Sequence, residues 1–169
     1  MHKTIFLDRD GVINRCAAEH CYICTWEEFE FLPGVAQAIR TMNAAGYLVL
    51  VVTNQRGVAR GLLPREALDA LHWKMQAALL AAGAHIDNIY VCPHEEGTCT
   101  CRKPDIGLFQ MAEADYEIDK AESWMIGDSA SDVLAGQKYG VRTIRTTNLR
   151  EAVAQILDAE RSHELEMVR

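Results

Sequence analysis

Short apolar runs alternate along the chain with longer segments of helical periodicity. Residues 4–8 hold Ile5-Phe-Leu before turning to charge, and residues 47–53 contain Leu48-Val-Leu-Val-Val52, apolar on both faces. Residues 89–92, 124–128 and 141–145 complete five predicted strands. Between them, residues 34–45 place Val35, Ala38, Ile39 and Met42 on one helical face and end at Gly46. Residues 65–82 repeat the device with Leu68, Leu71, Met75 and Leu79 before Gly83. Helices are also predicted over 106–114, over 131–139 before Gly140, and from 150 to about 161. Strands alternating with helices predict an α/β fold with a central parallel sheet and crossover helices. Residues 1–169 are expected to form one domain, the common size for a single core.

Chemistry concentrates just after the strands, where ligands bind in open parallel sheets. Asp8 and Asp10 end the first strand before Gly11, and side chains two apart on extended chain point the same way. Two such carboxylates need a cation, and Mg²⁺, a hard ion preferring oxygen, is the candidate. An EF-hand loop is disfavoured, because Val12, Asn14 and Cys16 do not supply its ligands in register. Thr53-Asn54-Gln55-Arg56-Gly57 follows the second strand, Arg102-Lys103-Pro104 the third, and Gly127-Asp128-Ser129 with Asp132 the fourth. Each cluster has a plainer reading: Thr53 or Asp128 as a helix cap, Lys103 as a solvated lysine. Residues 15–31, rich in cysteine and aromatics, are too long for an ordinary βα connection and are expected to form a flap over the site, a packed surface loop being the alternative.

A second constellation is Cys92-Pro-His94-Glu-Glu-Gly-Thr-Cys99-Thr-Cys101. Three sulfurs and an imidazole within ten residues, with Pro93 and Gly97 to turn the chain, can wrap a tetrahedral Zn²⁺. Four protein ligands leave no open position, so this zinc-binding loop is expected to be structural and to present Arg102 and Lys103.

The net charge of −7 disfavours a dedicated nucleic-acid binder. No apolar run approaches the roughly 20 residues that cross a bilayer. Met1-His-Lys-Thr leads straight into the first strand, leaving no room for a signal peptide, so a cytoplasmic location is expected and the six cysteines read as thiols or metal ligands.

Asp-x-Asp-Gly-Val at 8–12, Thr53, Lys103-Pro104 and Gly127-Asp128 with Asp132 together resemble the haloacid dehalogenase superfamily of phosphotransferases, all four motifs in order. The resemblance implies a Rossmann-like three-layer sandwich in which Asp8 is the nucleophile and Asp10 the general acid and base. It also implies that Thr53 and Lys103 bind the transferring phosphoryl group. Mg²⁺ would be held by Asp8, the Asp10 carbonyl and Asp128, with Asp132 in support. The chemistry fits these types, since phosphate monoesters need extensive charge neutralisation and a covalent aspartyl-phosphate divides one hard displacement into two.

The Cys-x-His and Cys-x-Cys pairs followed by Arg-Lys-Pro look like the branch containing heptose bisphosphate phosphatases and the histidinol-phosphatase domain. Thr53-Asn-Gln-Arg-Gly-Val-Ala-Arg60-Gly61 is similar to the heptose type. Ser129, where that type usually has Lys, and the short zinc loop depart from it. The resemblance implies removal of the 7-phosphate of a heptose 1,7-bisphosphate for cell-envelope glycans such as lipopolysaccharide; histidinol phosphate or another small metabolite is the alternative substrate, and a non-catalytic binding module is the reading from another class. Asn54, Gln55, Arg56, Arg60 and Arg102 are the candidate substrate contacts, the arginines for a second phosphate. A monomer without nucleic-acid or membrane partners is expected. Cys16, His20, Cys21 and Cys24 are read as free thiols and a flap histidine rather than a second metal site. Trp26, Phe29 and Phe31 are expected to pack the flap, His72 and His85 to be ordinary helix or loop residues, and residues 160–166 to be a solvated end.

Overall fold

Every residue of β1 (Thr4–Leu7) is buried, as a strand covered on both faces must be. A computed structural model describes residues 1–18 and 21–167, the last five by backbone alone. The other strands are β2 (Leu48–Asn54), β3 (Asn88–Cys92), β4 (Trp124–Gly127) and β5 (Arg142–Arg145). All pairs are parallel and the order is β3-β2-β1-β4-β5, with Leu7 opposite Val51 on one side and Ile126 on the other. The chain therefore leaves β1 in one direction and returns to its other flank at β4, which puts the topological switch point between those two strands.

The helices are α1 (Val35–Ala44), α2 (Arg65–Ala81), α3 (Gly107–Asp115), α4 (Ala130–Tyr139) and α5 (Leu149–Met167). Alternation along the strands divides the core: Ile5, Leu7, Val49 and Val51 meet Ile39, Met42, Leu71, Met75 and Ile156, while Phe6, Leu50 and Val52 meet Phe109, Ala112, Ala135 and Tyr139. Helices α1, α2 and α5 thus cover one face and α3 and α4 the other, the three-layer α/β sandwich expected.

Element ends differ in detail. Strands β1 and β4 stop at Leu7 and Gly127, so Asp8 and Asp128 are the first residues beyond them. Helix α5 continues to Met167 instead of ending near 161. Glu160, expected to be solvated, accepts hydrogen bonds from Lys3 Nζ at 2.9 Å and Tyr47 Oη at 2.7 Å, which fastens that helix to the sheet edge. Among the described residues no helix is long and apolar enough to cross a membrane.

Candidate active site

The three central strands deliver the charged groups to one edge. Lys103 is buried, its Nζ 2.8 Å from Asp8 Oδ1, 2.6 Å from Asp132 Oδ1 and 2.7 Å from the Val52 carbonyl. Its approach to Asp132 lies off the hydrogen-bond direction, so that contact is ionic. A solvated lysine is thereby excluded. Burial opposes charge on Lys103, but the Asp8 and Asp132 carboxylates outweigh it and raise its pKa. Burial pushes Asp8 up to about 7, Lys103 pulling it back while Asp132 and Asp10 repel it. Asp128 is also raised, by burial first and Asp132 next.

Oxygens of Asp8, Asp128 and Asp132 lie within 4.8 Å of one another. Three carboxylates around one ammonium leave an excess of negative charge, and oxygen donors converging in this way fit a hard dication such as Mg²⁺. Gly11 makes the convergence possible: its φ is 86°, and a Cβ there would collide with the Asp128 carboxylate. The N-cap of α4 is Ser129 rather than Asp128, in a reciprocal capping box with Asp132, so a lysine at 129 would give up that cap.

Asp10 is held differently. Its Oδ1 accepts from Arg9 Nη2 at 2.8 Å, Arg9 Nε at 3.3 Å and Asn14 Nδ2 at 2.9 Å, while Oδ2 accepts from Gln55 Nε2 at 2.8 Å. Burial pushes Asp10 up, but Arg9 and these donors outweigh it and hold its pKa below the usual carboxylate value. Gln55 Nε2 also donates to Thr53 Oγ1 at 2.8 Å, leaving the buried Thr53 hydroxyl its own proton to donate. Asn54 brackets the Lys103 backbone, donating to its carbonyl at 3.1 Å and accepting from its N–H at 3.0 Å. Asn54 and Gln55 therefore also brace the charged groups.

Asp10, Asn54 and Gln55 share a cavity of about 230 Å³ with Cys16, Ala17, Cys21, Tyr22 and Ile23 of the flap. The flap is closed at its base by a bridge between Asn14 and Phe31, and Trp26, Phe29 and Phe31 pack on one another at 5.0–6.2 Å between centroids. Cys16 Sγ is 3.7 Å from Asp128 Oδ2, and Cys24 Sγ is 3.6 Å from the Leu62 carbonyl. Among the described residues neither of the two groups able to hold a metal includes Cys16, Cys21 or Cys24; His20 lies outside those residues.

The arginines have unequal freedom. Arg56 Nη1 and Arg60 Nε contact Glu95 at 3.2 and 2.9 Å, and Arg56 Nε is 3.4 Å from Tyr22 Oη. Arg102 Nη1 is buried without a hydrogen-bond partner, a donor that an anion could satisfy.

Cys92, His94, Cys99 and Cys101 converge as the spacing predicts. Ligand atoms around a metal with bonds of about 2.3 Å lie about 3.8 Å apart in a tetrahedron. Cys92 Sγ is 3.7 Å from His94 Nδ1 and 3.5 Å from Cys99 Sγ, which is 3.5 Å from Cys101 Sγ; Cys101 approaches Cys92 at 2.9 Å and His94 at 3.2 Å. Burial pushes the Cys101 thiol up, and hydrogen bonding to Cys92 and Cys99, then their charge, push it further; a dication shared by these sulfurs favours their thiolates instead. The donor set fits zinc.

Sequence reasoning missed Arg9 and misjudged His72. Arg9 is 1 % exposed, and its Nη1 lies 3.1 Å from the Nε2 of His72, itself buried on α2. Strand alternation was the available signal: it sends residue 9 to the same side as Ile5 and Leu7, where a charge needs a buried partner. His85 remains ordinary, paired with Asp87 at 3.2 Å while more than half exposed.

A family model described as HAD-hydrolase-like matches residues 100–163. The D-glycero-beta-D-manno-heptose-1,7-bisphosphate 7-phosphatase of Haemophilus ducreyi is 40 % identical over 149 residues, covering 83 % of this chain and 80 % of that protein. The enzyme of the same name from Rhodopseudomonas palustris is 45 % identical over 148 residues, covering 83 % and 81 %. Among solved structures, the D,D-heptose 1,7-bisphosphate phosphatase of B. bronchiseptica, complexed with magnesium and phosphate, superposes with a TM-score of 0.80 at 32 % identity over 93 % of this chain and 99 % of that one.

Proposed function

The chain belongs to the D-glycero-beta-D-manno-heptose-1,7-bisphosphate 7-phosphatase family of HAD-like hydrolases, and from that premise we propose that it hydrolyses the 7-phosphate of this heptose bisphosphate. The observation that carries the reading is the convergence of Asp8, Lys103 and Asp128 beside a carboxylate, Asp10, kept apart on its own donors.

In this reading an Asp8 oxygen attacks the 7-phosphorus and the bond to O7 breaks. Lys103, fixed by Val52 and Asn54, faces the phosphoryl oxygens as negative charge spreads over them. The Thr53 hydroxyl, oriented by Gln55, donates to another of those oxygens. An arriving phosphate dianion raises the proton affinity of Asp10, which takes up a proton from solvent and then gives it to O7 as the sugar alcohol leaves. Asp10, now a carboxylate, takes a proton from the water that attacks the aspartyl-phosphate, and phosphate departs with Asp8 restored. Mg²⁺ held by Asp8, Asp128 and the Asp10 carbonyl supplies charge neutralisation and orientation of the phosphoryl oxygens when bound. Cys92, His94, Cys99 and Cys101 would hold Zn²⁺, which would secure the loop ahead of Lys103. Arg102 receives the 1-phosphate, with Arg56 and Arg60 at its margin. We assign the chain to the cytoplasm as a single-domain monomer making precursors of cell-envelope glycans.

The test is phosphate release from both anomers of heptose 1,7-bisphosphate and from histidinol phosphate, by wild type and Asp8→Asn. The beta anomer should be turned over fastest by wild type and not measurably by the variant. Preference for histidinol phosphate would replace the substrate, and activity surviving Asp8→Asn would remove the nucleophile.

A further inference from the structure

Arg9 heads the fully buried side chains by size. A guanidinium out of water is penalised by several kcal/mol unless its donors and charge are matched. Here each of its three nitrogens is engaged: Nε and Nη2 with Asp10 Oδ1, and Nη1 with His72 Nε2. An arginine only donates, so His72 Nε2 is the acceptor and the ring is neutral with its proton on Nδ1. Burial, reinforced by Arg9, lowers the His72 pKa to about 3, in keeping with that neutral ring. His72 sits among Leu68, Leu71 and Met75 on the buried face of α2, a place that periodicity reserves for apolar side chains.

The two oxygens of Asp10 are consequently unlike. Oδ1 takes three donors, two from Arg9 and one from Asn14, which saturates its lone pairs; Oδ2 takes one, from Gln55. We infer that Arg9, braced by His72, is a positioning pair that locks Oδ1 of Asp10 and so makes Oδ2 the oxygen that gives the proton to the leaving alcohol. The inference rests on Asp10 being the proton carrier, as proposed above. Arg9 and His72 are both buried, and neither lines the cavity beside Asp10. The pair makes α2, through one imidazole, part of the acid's alignment.

Leaving-group dependence separates this role from a merely structural one. An alkyl oxygen departs poorly without a proton, whereas p-nitrophenolate departs unaided, and kcat/KM reports the steps up to departure. His72→Leu should lower kcat/KM on the heptose bisphosphate roughly tenfold, a share of what a general acid contributes, and change it less than about twofold on p-nitrophenyl phosphate. His72→Gln, whose amide oxygen can accept from Arg9, should recover most of the loss. Arg9→Lys, which keeps the charge but not the fork, should show the same selective loss and serves if His72→Leu does not fold. Equal losses on both esters, or none on either, overturn the pair's role and leave the phosphatase reading standing. Wild type that releases phosphate from neither ester overturns both.

Discussion

Replacing Lys103 by Met removes the one ammonium set between Asp8 and Asp132 while roughly keeping the length of the stem. The Lys103 side chain is 1 % exposed and reaches two carboxylate oxygens, at 2.8 and 2.6 Å, and one carbonyl, at 2.7 Å. Each ion contact at these distances amounts to about 6 kcal/mol of attraction at an effective dielectric of 20, most of it offset by desolvation. Removing one member of such a pair leaves the others buried and unmatched, so Lys103→Met should lose about 3–5 kcal/mol of stability at neutral pH. Urea denaturation in the presence of a chelator measures it without compensation from divalent ions. Asp132→Asn, which keeps an oxygen for the α4 cap, should be less damaging in the Met background than in wild type, with a coupling of about 1–3 kcal/mol. Added Mg²⁺ should then stabilise the Lys103→Met variant more than wild type, because more unmatched charge awaits it. A loss below about 1 kcal/mol in chelator, or additive single variants, would refute the claim that Lys103 holds these carboxylates together.

Three further outcomes are expected. Buried His72 has a pKa of about 3 against an ordinary 6.5, so the unfolded chain binds the extra proton; the histidine's contribution is complete above pH 6.5 and falls by about 1.4 kcal/mol per pH unit below it. His72→Gln should therefore lose about 2 kcal/mol less than wild type between pH 7 and pH 5 by chemical denaturation, and parallel pH profiles would count against a neutral buried ring. Gly11→Ala must accommodate φ 86° and a collision with Asp128, so phosphate release should fall at least about a hundredfold and stability by about 1–3 kcal/mol; near-normal turnover would contradict the close approach. Cys99→Ser with Cys101→Ser should abolish bound zinc by elemental analysis and lower the thermal midpoint, and retention of a full equivalent would refute the ligand set.

Where a residue's position follows from chain direction, the sequence was sufficient. Asp8, Thr53 and Asp128 could be assigned to one edge because parallel strands end together, and the zinc quartet because its ligands are local. The buried partnership of Arg9 with His72 was not legible in the same way, since its members are 63 residues apart and helix periodicity alone marks residue 72 as merely interior. Glu95 was hidden for another reason: beside the zinc ligands it reads as loop polarity, and only the fold brings it to Arg56 and Arg60. Glu160 looked like an acidic tail because its partners, Lys3 and Tyr47, come from the opposite end of the chain and from the entry to β2.

Asp132 gives its two oxygens to different tasks, Oδ2 to the Ser129 hydroxyl and backbone N–H at the start of α4, and Oδ1 to Lys103. Fraying of that first helical turn and disarray of the charged cluster are therefore one event, in which neither can proceed far without the other. Amide exchange at the start of α4 becomes a reporter of what occupies the pocket: phosphate or Mg²⁺ should slow it, although the helix itself need not be touched.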